Sequence, residues 1–385
     1  MATEIKSGLE GVAVSDSKIC MIDGETGTLR YRGIDVGTLG QHATYEETIY
    51  LLWYGCLPTL DELDAFQATL VKERDVNGSI WKILSCLPRR AQPMEALRTT
   101  ISAIAAYDPD VYNYEHEANL NKAIRLTVRL PIVVADYYHF LRNEKPILPN
   151  PDLGHAANFL YMLRGKEASE LEVKALEMAM ILMADHGFNA STFAARVTAS
   201  TLSDLYSAIT TAIGTLKGPL HGGANQRAME MLLEIGSVDK VETYIDAALA
   251  AKERIMGFGH RVYRKSADPR SAYLKEILYQ LCNEIGNMHF YDLATAVAET
   301  VEAKKNLFPN VDFYTAPLLY LLDIPLDLFT PIFAISRIAG WTTHIMEQYE
   351  HNRLVRPVCV YTGPESVPYL PISERVQRHA VAQTT

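Results

Sequence analysis

The stretch TLDELDAFQATL, Thr59 to Leu70, opens with a threonine and carries a glutamate three residues later. A Thr-x-x-Glu pair is a capping box, in which each side chain satisfies a backbone N–H at the start of a helix. Behind it, Leu60, Leu63, Phe66 and Leu70 recur at three- and four-residue intervals, roughly one face of an α-helix. Thr44 and Glu47 repeat the cap. Val238, Val241, Ile245 and Leu249 repeat the spacing, as do Leu274, Ile277, Leu278, Leu281 and Ile285. No series of buried parallel strands alternates with these helices, which speaks against a doubly wound sheet. CMIDGETGTLRYRG, Cys20 to Gly33, sets Asp-Gly and Gly-Thr between short apolar segments and predicts a hairpin. NEKPILPNPDLG, Asn143 to Gly154, reads as a proline-rich connection. The chain is mainly α, with a small β element at its front.

With 385 residues the chain is long enough for a large core and for two or three domains. The net charge of −10, with no lysine or arginine run, speaks against nucleic acid, which requires a basic face. Cys20, Cys56, Cys86, Cys282 and Cys359 never form a CxxC pair, which suits reduced thiols and not a structural zinc site. MATEIKSGLEG lacks the apolar run of a secretory signal, and the apolar run Met178–Ala184 stops at Asp185, well short of the ~20 residues of a membrane span. A soluble cytoplasmic protein is expected, with no membrane partner.

Four stretches place polar groups at turns or helix ends: ADHGFNASTFAARV with His186, LKGPLHGGANQ with His221, IMGFGHRVY with His260, and FPNVDFYTAP with Asp312. Each has an ordinary reading as well. His186 would end the apolar helix before it and bond a carbonyl, Gly-Phe-Gly would be a plain turn, and Asp312 would cap the next helix. His221 offers more. Gly-Pro before it and a helical pattern after it place the ring near a helix N-terminus, whose dipole disfavours the imidazolium. A neutral imidazole can polarise a carbonyl ahead of enolisation.

The stretches of His221, His260 and Asp312, with DPR at Asp268–Arg270, ISRIAGWTTHIMEQ at Ile335–Gln348 and RLVRP at Arg353–Pro357, follow one another in an order that resembles the citrate synthase family, the resemblance running from about Gly8 onward. The resemblance implies an all-α, two-domain helical fold with a small N-terminal β element, assembled as a homodimer or higher homo-oligomer. It implies a large domain of residues 1–221 and 318–385, with the dimer contact and oxaloacetate site. Residues 222–317 would form a small domain with the CoA site. His221 and His260 would be the catalytic histidines and Asp312 the base. His186, Arg270, Arg337 and Arg356 would hold oxaloacetate, Arg356 coming from the other subunit. Arg254, Ile255, Met256, Gly257, Phe258 and Gly259 would lie along the coenzyme A adenine, with Lys305 near the phosphates. The reaction would condense acetyl-CoA with oxaloacetate and hydrolyse citryl-CoA, the substrates being acetyl-CoA and oxaloacetate, with no cofactor and no metal. The Gly-Pro before His221 and the region near Ala316-Pro317 would be the hinges of a closure around oxaloacetate.

The residue types agree with that chemistry. The acetyl methyl is a weak carbon acid, so its deprotonation needs a carboxylate base together with a donor to the enol oxygen. Arginines suit a dicarboxylate because the guanidinium pairs with it in two-point geometry. One departure stands out: HRVYRKSADPR is one residue longer than the family spacing, the extra residue falling in KSA. Three other readings compete. The same motifs serve a 2-methylcitrate synthase using propionyl-CoA. An inactive CoA-binding relative would not need the base and both histidines, all of which are present here. His344, Glu347 and His351, at i, i+3 and i+7, would be able to bind zinc, against the reading that they cap and solvate a helix end.

Overall fold

The computed structural model describes residues 5–74, 78–264 and 266–375. The chain divides into two compact units, one of Ser17–Leu354 and one of the segments up to Asp16 and from Val355 onward. In the first unit, β1 (Cys20–Asp23), β2 (Thr28–Tyr31) and β3 (Ile34–Asp35) form an antiparallel meander, with Cys20 opposite Tyr31 and Ile22 opposite Leu29. This is the hairpin that Asp-Gly and Gly-Thr predict, lengthened by one short strand.

Helices make up nearly all the rest. The first eight are α1 (Val36–His42), α2 (Tyr45–Tyr54), α3 (Leu60–Lys72), α4 (Ser79–Ser85), α5 (Pro93–Ile104), α6 (His116–Arg142), α7 (His155–Arg164) and α8 (Glu170–Met183). The second eight are α9 (Ala190–Ser200), α10 (Leu205–Leu216), α11 (Ala224–Ile235), α12 (Val241–Ala250), α13 (Pro269–Ile285), α14 (His289–Lys305), α15 (Val311–Leu321) and α16 (Phe329–Glu350). Both expected capping boxes are present, Thr44 with Glu47 and Thr59 with Glu62, and Ser169 with Glu172 forms another. The face of α3 is narrower than its spacing suggests. Phe66 and Leu70 are buried, whereas Leu60 in the first turn is 74% exposed. Ile285 and Val238, at the ends of their runs, are also about half exposed.

α16 organises the site. It is buried on every side from Phe329 to Met346, as expected of a helix apolar all round. It packs against α6, α8, α9 and α10. At Gly340 it touches the corner where α8 gives way to α9: the Gly340 N–H donates to Ala184 O at 3.1 Å. A Cβ there would lie 2.4 Å from Ala184 O and 2.5 Å from Asp185 Oδ1. Only glycine allows this approach. Gly340→Ala should therefore destabilise the fold by about 1–3 kcal/mol through overpacking. Gly214→Ala in α10, whose Cβ would meet nothing nearer than Arg98 Cδ at 3.6 Å, should be neutral or stabilising. Urea midpoints of the two variants test the pair, and equal midpoints would contradict the packing account.

Candidate active site

The corner after α8 turns through Asp185 and His186, and Asn189 caps α9 through the N–H groups of Ser191 and Thr192. Asp185 is fully buried. Its side chain meets His344 Nε2 at 3.2 Å and accepts from the Gly187 N–H. Burial pushes its pKa up, but His344 and Arg337 outweigh that and hold it below the ordinary carboxylate range. Arg337, one turn earlier on α16 than Gly340, donates Nε–H to Met183 O at 2.6 Å and lies over the Phe333 ring. Arg270, near the start of α13, is tied in two-point geometry to Asp268 at 2.9 and 2.7 Å. Both arginines are almost wholly buried, and buried guanidiniums persist only when paired or hydrogen-bonded.

His260 sits on the loop that precedes α13. This loop is stitched to the start of α15: Gly259 N–H donates to Phe308 O, Asn310 N–H to Gly257 O, and Asn310 Nδ2 to Gly259 O. Gly257 has φ +82°, and a Cβ there would meet Phe313 at 2.8 Å. The stitching joins the loop of His260 to the helix of Asp312. Asn310 is the cap of α15, and Asp312 is left free of that duty at the second helical position. Its Oδ1 is buried without a hydrogen-bond partner. Burial raises the Asp312 pKa to about 7.

The histidines answer burial in the opposite sense. His221 is pushed down to about 4 by burial and then by Arg337, and His260 to about 4 by burial and then by Arg270. His186 lies well below its ordinary value for the same first reason. The neutrality of His221 thus rests first on desolvation; α11 begins only at Ala224. His260 Nδ1 accepts from Val262 N–H at 3.0 Å, so in the neutral ring the proton is on Nε2. His221 Nε2 lies 2.8 Å from Ser191 Oγ, which also receives Trp341 Nε1–H at 3.1 Å. Indole is a donor only, so the Ser191 hydrogen is left for His221 Nε2 or for Asn189 Oδ1 at 2.8 Å. Given to His221, it places the ring proton on Nδ1.

The structure gathers His186 and His260, with ring centroids 5.1 Å apart, and Arg270 and Arg337 both bear on His186. His221 joins through Ser191 and Trp341. His186 does lie just past the end of the apolar helix and its ring has a backbone hydrogen bond, and beyond that reading its Nε2 lies 3.1 Å from Tyr263 Oη. Ile255 to Gly259 line the loop before His260, while Arg254 and Lys305 are exposed. Arg356 lies in the other compact unit and is exposed, and Lys265 of KSA falls outside the described residues. The helix-end reading of the His344 trio is corrected. His344 is fully buried between Asp185 and Arg196, and Glu347 pairs with Arg196 at 2.7 Å, while His351 is exposed. Among the described residues no cluster of three His, Cys, Asp or Glu side chains is arranged to hold a metal. Ser191, Trp341, Tyr263 and Asp268 escaped the sequence reading, although all four lie inside the quoted motifs.

A raised Asp312 has a consequence for stability. Its folded pKa exceeds its unfolded one, so its contribution is fully present below the unfolded value, near 4, and is lost as pH rises through about 7. Asp312→Asn should therefore gain stability relative to the wild type at pH 8 and less or none at pH 4. Carboxyl NMR should show Asp312 titrating near 7. An ordinary midpoint near 4 with no pH-dependent gain would contradict this environment.

Known proteins resemble this chain along nearly its whole length. The family model described as citrate synthase, C-terminal domain, matches residues 8–358. A citrate synthase of Haloferax volcanii is 48% identical over 97% of this chain and 100% of its own. A Bacillus subtilis protein named citrate/2-methylcitrate synthase is 40% identical over 93% of this chain and 96% of its own. The solved citrate synthase of Thermoplasma acidophilum, in a ternary complex with carboxymethyl coenzyme A and oxaloacetate, superimposes with a TM-score of 0.90. It is 35% identical and matched over 97% of this chain and 100% of its own. With the all-α fold, the ordered motifs and the family match in agreement, the chain belongs to the citrate synthase family.

Proposed function

We propose that this chain is an acyltransferase that condenses acetyl-CoA with oxaloacetate and hydrolyses the resulting citryl-CoA to citrate and CoA. The observation that carries the reading is Asp312: a half-buried aspartate whose Oδ1 is buried without a hydrogen-bond partner, raised to about 7 and stitched to the loop of His260. Such a group is a base poised near neutral pH. Asp312 takes a proton from the acetyl methyl, and the C–H electrons move toward the thioester oxygen. Neutral His221 donates Nδ1–H to that oxygen, held by Ser191. The enol carbon attacks the oxaloacetate carbonyl, whose oxygen takes the proton from His260 Nε2. Water then cleaves the thioester. His186, Arg270 and Arg337 hold oxaloacetate, with Arg356 supplied by a second subunit. The backbone from Arg254 to Gly259 carries the adenine, with Lys305 at the phosphates.

In this reading residues 222–317 form the small domain that closes on oxaloacetate, and residues 1–221 and 318–385 the large one. The paired strands of backbone at 257–259 and 308–310 make the small domain's two catalytic residues move together. Pro317 lies inside α15, between Asp312 and the end of that helix. All five cysteines are unpaired, which suits the cytoplasm, and among the described residues no helix is long and apolar enough to cross a membrane. A propionyl-CoA preference is the second reading, supported by the doubly named Bacillus relative. One methylene changes discrimination by only about 1–3 kcal/mol.

CoA release with oxaloacetate and either acetyl-CoA or propionyl-CoA tests the reaction. Acetyl-CoA should have the higher kcat/KM, and Asp312→Asn should lower turnover by about 10²–10⁴ while oxaloacetate still binds. A variant keeping more than about a tenth of the rate would remove Asp312 from the mechanism.

The shared site has its own test. Arg356→Ala chains and Asp312→Asn chains, each inactive alone, should regain up to about half the wild-type activity once hybrids form, since one of two sites then has both native residues. Hybrids that form and stay inactive would place Arg356 in the site of its own chain.

A further inference from the structure

The Tyr263 hydroxyl lies 3.1 Å from Nε2 of His186, and its ring packs against His260 with centroids 4.8 Å apart. Tyr263 is 4% exposed and His186 7%, so water does not replace this contact. Burial raises the phenol pKa and lowers that of the imidazole, leaving both groups neutral. Whichever of them donates, Nε2 is engaged. The other oxaloacetate groups keep more in reserve: among the described residues Arg337 commits only Nε, to Met183 O, and Nη1 of Arg270 has only a 3.5 Å contact with Leu182 O. His186 therefore has to exchange a hydrogen bond before that nitrogen can serve a substrate.

The exchange reaches His260 through the chain itself. The Tyr263 and Val262 N–H groups both approach His260 Nδ1, at 3.4 and 3.0 Å, and orient the ring. Withdrawing the Tyr263 side chain from His186 pulls on the three-residue turn that holds His260.

We propose that Tyr263 is a positioning residue that latches His186 until oxaloacetate displaces its hydroxyl, coupling occupancy of His186 to the placement of His260. This rests on the oxaloacetate role assigned to His186 above. The latch bond opposes binding by the worth of one net hydrogen bond. Tyr263→Phe keeps the ring and removes the hydroxyl, so it should bind oxaloacetate about fivefold more tightly by calorimetry. A residue that merely supports the fold would weaken binding when altered.

Two further readouts separate the cases. In ¹⁵N-histidine NMR of the substrate-free enzyme, Tyr263→Phe should shift the Nε2 resonance of His186, and saturating oxaloacetate should bring variant and wild type together. In wild-type protein carrying ¹³C-labelled tyrosine, oxaloacetate should move the Tyr263 Cζ signal, a measurement that needs no variant. Unchanged or weaker binding by a folded Tyr263→Phe, or a Tyr263 signal insensitive to bound oxaloacetate, overturns the latch and leaves the function standing. A wild type that binds no oxaloacetate overturns both.

Discussion

The contact on which the site depends is the one between Gly340 of α16 and the carbonyl of Ala184. It brings a helix buried on all sides against the corner where α8 ends, with no side chain between the two backbones. Everything beside that contact falls into register. One turn before Gly340, Arg337 reaches Met183 O; one residue after it, Trp341 reaches Ser191; one turn after it, His344 reaches Asp185. Helical spacing of three to four residues turns one close approach into three side-chain contacts. Through Ser191, this register positions His221.

The second constraint is desolvation. It is the largest cause of the shifts at His221, His260 and Asp312, and it acts oppositely on a base that becomes cationic and an acid that becomes anionic. The same physical cause therefore delivers two neutral histidines and a carboxylate poised near 7. Enolisation needs that combination, because an imidazolium would stabilise the Asp312 anion and weaken it as a base. The arginines survive the same burial by different means, Arg270 through Asp268 and Arg337 through backbone carbonyl and ring.

Much of the helical scaffold was legible because caps and periodicity are local. Thr59, Glu62, Phe66 and Leu70 lie within four turns of one another and need no tertiary partner to be read. The exposure of Leu60 was not legible, since a first-turn residue is buried only if another element covers it. His344 misled for a related reason: its i, i+3, i+7 spacing suggested a polar face, but α16 has no solvent face along most of its length. Asp312 was readable only as one of two roles. The choice fell to Asn310, two residues earlier, whose side chain accepts the Asp312 N–H and so takes the cap. Tyr263, Ser191 and Trp341 stood inside the motifs, but their partners lie 77, 30 and 150 residues away in sequence. No periodicity encodes such distances.

The central claim is that Asp312, held by burial near neutrality, removes the methyl proton in a pocket whose histidines remain uncharged. The most direct measurement is a single turnover, quenched at short times, with oxaloacetate bound and acetyl-CoA carrying either a protiated or a trideuterated methyl group. The account predicts slower condensation for the deuterated methyl at every pH, with both rates falling together as pH drops through about 7. Identical rates for the two methyl groups, or rates indifferent to pH across that range, would contradict it.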